Sequence, residues 1–128
     1  MNTRRTILAL LLFVFSPAFA EDKTVKHVNA SGAAALVDAN TVVIVDVRSA
    51  DEFSEGHIKG AKNIDFRSSK FEAGLSALDK GSPVLVHCAS GGRSTASLKI
   101  FAKLGFTNVT HLDDGFEAWK AAGLPVAK

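Results

Sequence analysis

The sequence predicts a single α/β domain built on an open parallel sheet with helices on both faces. Three observations predict it. The 128 residues are 47% hydrophobic and 22% charged, a balance that suits one ordinary globular domain with a real core. Short apolar runs alternate with amphipathic stretches along the chain, and no repeat, low-complexity tract or Pro/Ser-rich linker interrupts them. The run "TVVIVDV", Thr41 to Val47, is the continuous β-branched stretch that a parallel sheet buries on both faces.

The first twenty residues stand apart from this alternation. "MNTRRTILALLLFVFSPAFA" has a basic start at Arg4 and Arg5, an apolar stretch from Ile7 to Phe15, and the small residues Ala18 and Ala20 around Phe19. That order is expected of a signal peptide at 1–20, whose removal leaves a domain at 21–128 and a periplasmic location. The apolar stretch is shorter than the roughly 20 residues of a spanning helix, so no stable membrane association is expected after cleavage. No cysteine follows the cleavage point to carry a lipid. "TRRT" suits twin-arginine export and the Leu-rich segment suits the general secretory route, so both stay open.

Cleavage also changes the charge argument. Losing Arg4 and Arg5 from fifteen Lys and Arg leaves thirteen, against thirteen Asp and Glu. The mature chain is formally neutral, and no Lys/Arg cluster suggests nucleic acid or an anionic membrane as partner. No protein partner is identified either.

Each element then follows in turn. "TVKHV" reads as a short strand, and Asn29 caps a helix from Ala30 to about Ala39. After the strand at Thr41 to Val47, "SADEFSEG" forms a short helix ended by Gly56, and "AKNID" a brief strand. "KFEAGLSALDKG" reads as a helix with Gly81 at its end, and "PVLV", Pro83 to Val86, as a second buried strand. From Ser94 to Leu104, Leu98, Phe101 and Ala102 share one side and Lys99 and Lys103 another, with Gly105 as the stop. "NVTHL" is a further strand and "GFEAWKAAG" the last helix.

Ligands of open parallel sheets sit beyond the carboxyl ends of the strands, and there the chain places its only cysteine, in "VHCASGGRS". One cysteine excludes an internal disulfide, a CxxC redox pair and a multi-cysteine zinc site, leaving an inert buried thiol or a reactive one. Cys88 follows a strand and precedes a helix start. The amides of Ala89, Ser90, Gly91, Gly92 and Arg93 can converge on the sulfur, Gly91 and Gly92 allow backbone angles closed to other residues, and the helix dipole adds positive charge. Surroundings of this kind can lower a cysteine thiol from about 8.5 to about 7 or below. The polar loop argues against the inert reading.

Such a cradle also serves phosphate chemistry, and spacing separates the two. Phosphatases of the tyrosine type place five residues between Cys and Arg. Here four lie between Cys88 and Arg93, a loop better sized for one extra sulfur than for a phosphate.

With those residues in view, the chain resembles a single-domain rhodanese of the thiosulfate sulfurtransferase kind. "DVRSADEFSEGHIKGAKNI", Asp46 to Ile64, resembles the family's first signature, "HCASGGRS" its active-site loop, and "LDDGFEAWKAAGLPV", Leu112 to Val126, its closing signature. The resemblance implies a three-layer fold with a five-stranded parallel sheet. It also implies a catalytic Cys88 that alternates between thiolate and persulfide, with Ala89 to Arg93 binding the substrate sulfur. Two positions depart from the family pattern: Ala89 replaces a frequent basic residue, and Asp114 replaces the first of a glycine pair.

The implied reaction is two displacements. Cys88 takes the outer sulfur of a donor, thiosulfate or a persulfide, and passes it to cyanide or a thiol, with no cofactor. A sulfur carrier serving a protein partner would use the same loop. Arg93 is placed either to attract a donor's sulfonate or to form a structural ion pair. Asp46 and Arg48 read as a structural pair, His57 as packing or hydrogen bonding, and His87 as facing away from Cys88. His27 and His111 read as isolated, with no metal site, and Trp119 as core.

Overall fold

The computed structural model describes residues 25–128. The expected signal peptide, 1–20, lies outside the described residues. The order is β1 (Val25–Val28), α1 (Ala30–Asp38), β2 (Val43–Asp46), α2 (Ala50–Glu55), β3 (Lys62–Asn63), α3 (Phe71–Ser76), β4 (Val84–His87), α4 (Gly92–Lys103), β5 (Val109–Leu112) and α5 (Gly115–Ala121). The five strands pair in the order β1-β5-β4-β2-β3, every pair parallel. β4 is central, so its carboxyl end opens at the middle of the sheet edge.

The β-branched strands are buried on both faces because helices cover both. Val45, Val47, Val84, Val86 and Val109 pack with Phe71 and Leu75 of α3 and Phe101 of α4. Ile44, Leu85 and Leu112 point the other way, onto Ala33 of α1 and Phe116 and Trp119 of α5. Strand alternation thus divides one run of apolar residues between two cores. Trp119 is in the core, and its Nε1–H donates to the Pro125 carbonyl at 2.8 Å.

Local signals place most boundaries. The Asn29 side chain accepts from Gly32 N–H and caps α1. Ser49 and Glu52 form a capping box at the start of α2. The third helix is the clearest departure, ending at Ser76 rather than near Gly81. Leu78 N–H turns back to the Leu75 carbonyl, and the Asp79 carboxylate takes Gly81 N–H at 2.9 Å. That side-chain turn offers the backbone an alternative to another helical turn. α4 begins at Gly92, two residues earlier than the apolar pattern indicates.

Candidate active site

Cys88 follows β4 directly, is 1% exposed, and belongs to the same face as Val84 and Val86. Its loop is shaped by two close approaches. Gly91 has φ 111°, and a Cβ there would lie 2.2 Å from the Asp113 carbonyl oxygen. Gly115 has φ 69°, and a Cβ there would lie 2.4 Å from the Ala89 carbonyl oxygen. Both positions therefore require glycine. Gly92 does not: it has no positive φ and opens α4, so of the two loop glycines only Gly91 uses the freedom expected of both. Asp114, at φ −96°, occupies ordinary backbone space, so the glycine absent there is not needed.

The start of α5 orients the loop. Phe116 N–H donates to the Cys88 carbonyl at 2.8 Å and Glu117 N–H to the Ala89 carbonyl at 3.0 Å. With those carbonyls turned toward α5, the following amides are left to face the sulfur. Gly91 N–H lies 3.1 Å from Sγ, and the Ser94 hydroxyl 3.2 Å from it. Burial pushes the thiol up, but the Ser94 hydroxyl and the backbone amides of Ser94, Gly91 and Ser90 outweigh it, and the net direction is down. The sulfur's partners are thus narrower than the five amides expected at Ala89, Ser90, Gly91, Gly92 and Arg93, and they include Ser94.

Arg93 makes its side-chain hydrogen bonds with Glu52 and none with the sulfur. Its guanidinium makes a two-pronged contact with the Glu52 carboxylate at 2.7 and 3.0 Å. Of the two roles open to it, the geometry is that of an ion pair, and the same Glu52 caps α2. The Arg93 contact holds the Glu52 carboxyl at about 2, well below its ordinary value. Ala89 lines a cavity of about 200 Å³ with Arg48, Glu52, Phe116, Glu117 and Lys120.

His111 and His27 are not isolated, which corrects the sequence expectation. His111 Nδ1 and His27 Nδ1 lie 2.7 and 2.6 Å from the same Asp113 carboxylate oxygen. Two ligands of one tetrahedral ion stand more than about 3 Å apart, so this spacing is that of hydrogen bonds. On its other side, His111 Nε2 is 2.7 Å from the Ser94 hydroxyl. The Cα register pairs His27 with His111 and Val86 with His111, which carries the imidazole beside the thiol. Spacing by two in "THLD" puts His111 and Asp113 on one side of the strand end, the one sequence signal that pointed to them.

The remaining polar residues anchor the opposite face. Asp46 takes Arg48 Nη2 at 2.7 Å and Arg48 Nε at 3.0 Å, both side chains being buried, and the guanidinium lies 4.2 Å over the Phe116 ring. Arg48 Nη2 also donates to the Gly56 carbonyl. His57 stacks on Phe53 at 3.8 Å and contacts its carbonyl, and His87 packs on Phe116 on the face opposite the Cys88 sulfur, its Nδ1–H donating to the Cys88 carbonyl at 3.0 Å.

Comparison with known proteins identifies the family and the fold. The Rhodanese-like domain family matches residues 29–122. The thiosulfate sulfurtransferase GlpE of Shewanella oneidensis is 33% identical over 97 residues, covering 76% of this chain and 94% of that protein. The thiosulfate sulfurtransferase GlpE of Pseudomonas aeruginosa is 36% identical over 83 residues, 64% of this chain and 73% of that protein. Among solved structures, a rhodanese-related protein from Thermoplasma volcanium superposes with a TM-score of 0.71 at 25% identity, covering 80% of this chain and 97% of that one. The parallel five-stranded sheet, the loop wrapped around a buried thiol and these similarities place the chain in the rhodanese-like domain family.

Proposed function

We propose that this chain, a sulfurtransferase of the rhodanese type, moves a sulfane sulfur from a small anionic donor such as thiosulfate to a thiol or cyanide through a Cys88 persulfide. The Cys88 thiolate attacks the donor's outer sulfur. A new S–S bond forms, the donor's S–S bond breaks, and sulfite leaves with its electron pair. The acceptor then attacks the outer sulfur of the persulfide, and the Cys88 thiolate is the leaving group. Each half-reaction needs an anionic sulfur held at the same place, and no cofactor takes part.

The observation that carries the reading is the pair of donors on Sγ, Gly91 N–H at 3.1 Å and Ser94 Oγ at 3.2 Å, at the start of the twelve-residue α4. Fixed donors favour the charged sulfur in both states and need no reorganisation. The test is thiosulfate:cyanide sulfur transfer with intact-mass measurement. The native chain gains one sulfur on thiosulfate treatment and releases it to cyanide. Folded Cys88→Ser does neither, and retained transfer in that variant would overturn the reading. A protein that loads sulfur but discharges to neither cyanide nor thiols would be a carrier for a protein partner.

We also propose export to the periplasm with removal of 1–20, on the basic, apolar and small-residue order of that segment. Among the described residues no helix is long and apolar enough to cross a membrane. Protein recovered from the periplasm begins at Glu21; periplasmic protein still carrying Met1, or none in that fraction, refutes the proposal.

A further inference from the structure

Sequence spacing puts no histidine at the thiol, and the reaction above uses only the loop. The fold nevertheless lines up Cys88, Ser94, His111 and Asp113 through contacts of 3.2, 2.7 and 2.7 Å. We infer that His111, held by Asp113 and linked to Cys88 through the Ser94 hydroxyl, is a positioning residue that receives the thiol proton and stabilises the thiolate in each half-reaction. The inference deepens the sulfur-transfer reading and rests on it.

Asp113 accepts from His111 Nδ1–H, so in the neutral ring Nε2 is an acceptor. The Ser94 hydroxyl has one hydrogen and three acceptors in reach: Nε2 at 2.7 Å, Cys88 Sγ at 3.2 Å and the Gly91 carbonyl at 3.2 Å. Its shortest contact is to Nε2. When it donates there, its oxygen is free to accept from the Cys88 S–H.

Proton transfer reverses the whole chain. The S–H bond breaks as its hydrogen joins Ser94 Oγ, and the hydroxyl's own hydrogen leaves to form Nε2–H. Two bonds break and two form, and no atom is oxidised or reduced. Afterwards Nε2–H donates to Oγ and Oγ–H donates to a thiolate. The negative Asp113 faces the new imidazolium, so the proton comes to rest on a compensated site. Ser94 at 0% and His111 at 2% exposure keep water from substituting for either link.

Beyond β5, Asp113 favours the imidazolium, while His27 on β1 opposes it. His87, at the end of β4, points into the opposite face, where burial holds it below the ordinary imidazole value and a charge on His111 lowers it further. Arg93 at the start of α4 is neutralised by Glu52. Burial draws His111 below its ordinary value, with Asp113 working against it. An imidazole so placed binds the proton when a thiolate forms beside it and releases it readily when the thiolate is consumed.

Alkylation of Cys88 by iodoacetamide tests the inference without any sulfur donor, and the chain's single cysteine makes the signal unambiguous. In His111→Gln the rate near neutral pH should fall about tenfold and return to the native rate at alkaline pH, the mark of a thiol titrating about one unit higher. Ser94→Ala should show the same alkaline displacement. A superimposable profile, or a loss that alkali does not restore, overturns the role. Should His111→Gln not fold, the native chain supplies the same answer by NMR. The His111 imidazole should titrate lower, by about one unit, once Cys88 is alkylated and the thiolate is gone. An unmoved imidazole overturns the inference. Either failure leaves the sulfur-transfer reading standing, since Cys88→Ser alone decides that.

Discussion

His87 and Cys88 are consecutive residues that serve opposite faces of one sheet, and the two faces treat the same chemical groups differently. On the Cys88 face, a carboxylate, an imidazole, a hydroxyl and the thiol form an unbroken series of hydrogen bonds that ends at half-exposed Asp113. On the His87 face the series is broken. His87 Nε2 stands 3.7 Å from Asp46 and has no hydrogen-bond partner among the described residues. Arg48 already fills that carboxylate with its backbone N–H, Nε and Nη2. A saturated, dry pair has one stable arrangement and anchors the fold. Two hydrogens shared over three atoms, Sγ, Ser94 Oγ and His111 Nε2, have two arrangements.

The contrast is broken most severely by Arg48→Ala. That change leaves Asp46 as an uncompensated charge at 0% exposure and takes a donor from the Gly56 carbonyl. The expected loss is about 3–5 kcal/mol in urea denaturation. Iodoacetamide reactivity of Cys88 in the folded fraction should stay close to native. Loss of thiol reactivity without loss of stability would mean that the two faces are not separate in function.

A smaller effect sharpens the contrast through pH. Burial pulls His87 below the ordinary imidazole value, and Asp46 opposes this only in part. The unfolded chain therefore binds a proton more readily than the folded one just below that value. Stability falls as pH drops through the interval, by at most about 1.4 kcal/mol per pH unit for one proton. His87→Leu removes this share, and the slope that remains belongs largely to His111, which burial also lowers. Denaturation curves at successive pH values measure it. A slope unchanged in His87→Leu would show that the dry face takes up no proton on unfolding.

Much of the site was legible because it is local. A strand, Cys88, a glycine with φ 111° and a helix start are neighbours in the chain, so "VHCASGGRS" specifies a thiol facing a helix N-terminus. The capping of α1 by Asn29 and the Asp46–Arg48 pair were legible for the same reason, their partners standing only a few residues apart. Local pattern misled where a short polar side chain competed with the backbone. α3 ends at Ser76 and the Asp79 side chain forms a separate turn with Gly81, which no hydrophobic spacing announces.

The sequence by itself determined the alternating α/β order, the buried β-branched strands and the position of the reactive loop, all consequences of residues within one or two turns of each other. Only the tertiary structure decided what surrounds the sulfur. Ser94 touches both the thiol and His111, and His111 stands there because β5 pairs between β1 and β4 in a register that matches it with His27 and Val86. Arg93 is paired with Glu52, 41 residues away, and Gly115 matters because the Ala89 carbonyl approaches it. These contacts depend on strand order, register and close packing of distant segments. Such quantities are fixed by the burial of the whole core and leave no mark in the spacing of neighbouring residues.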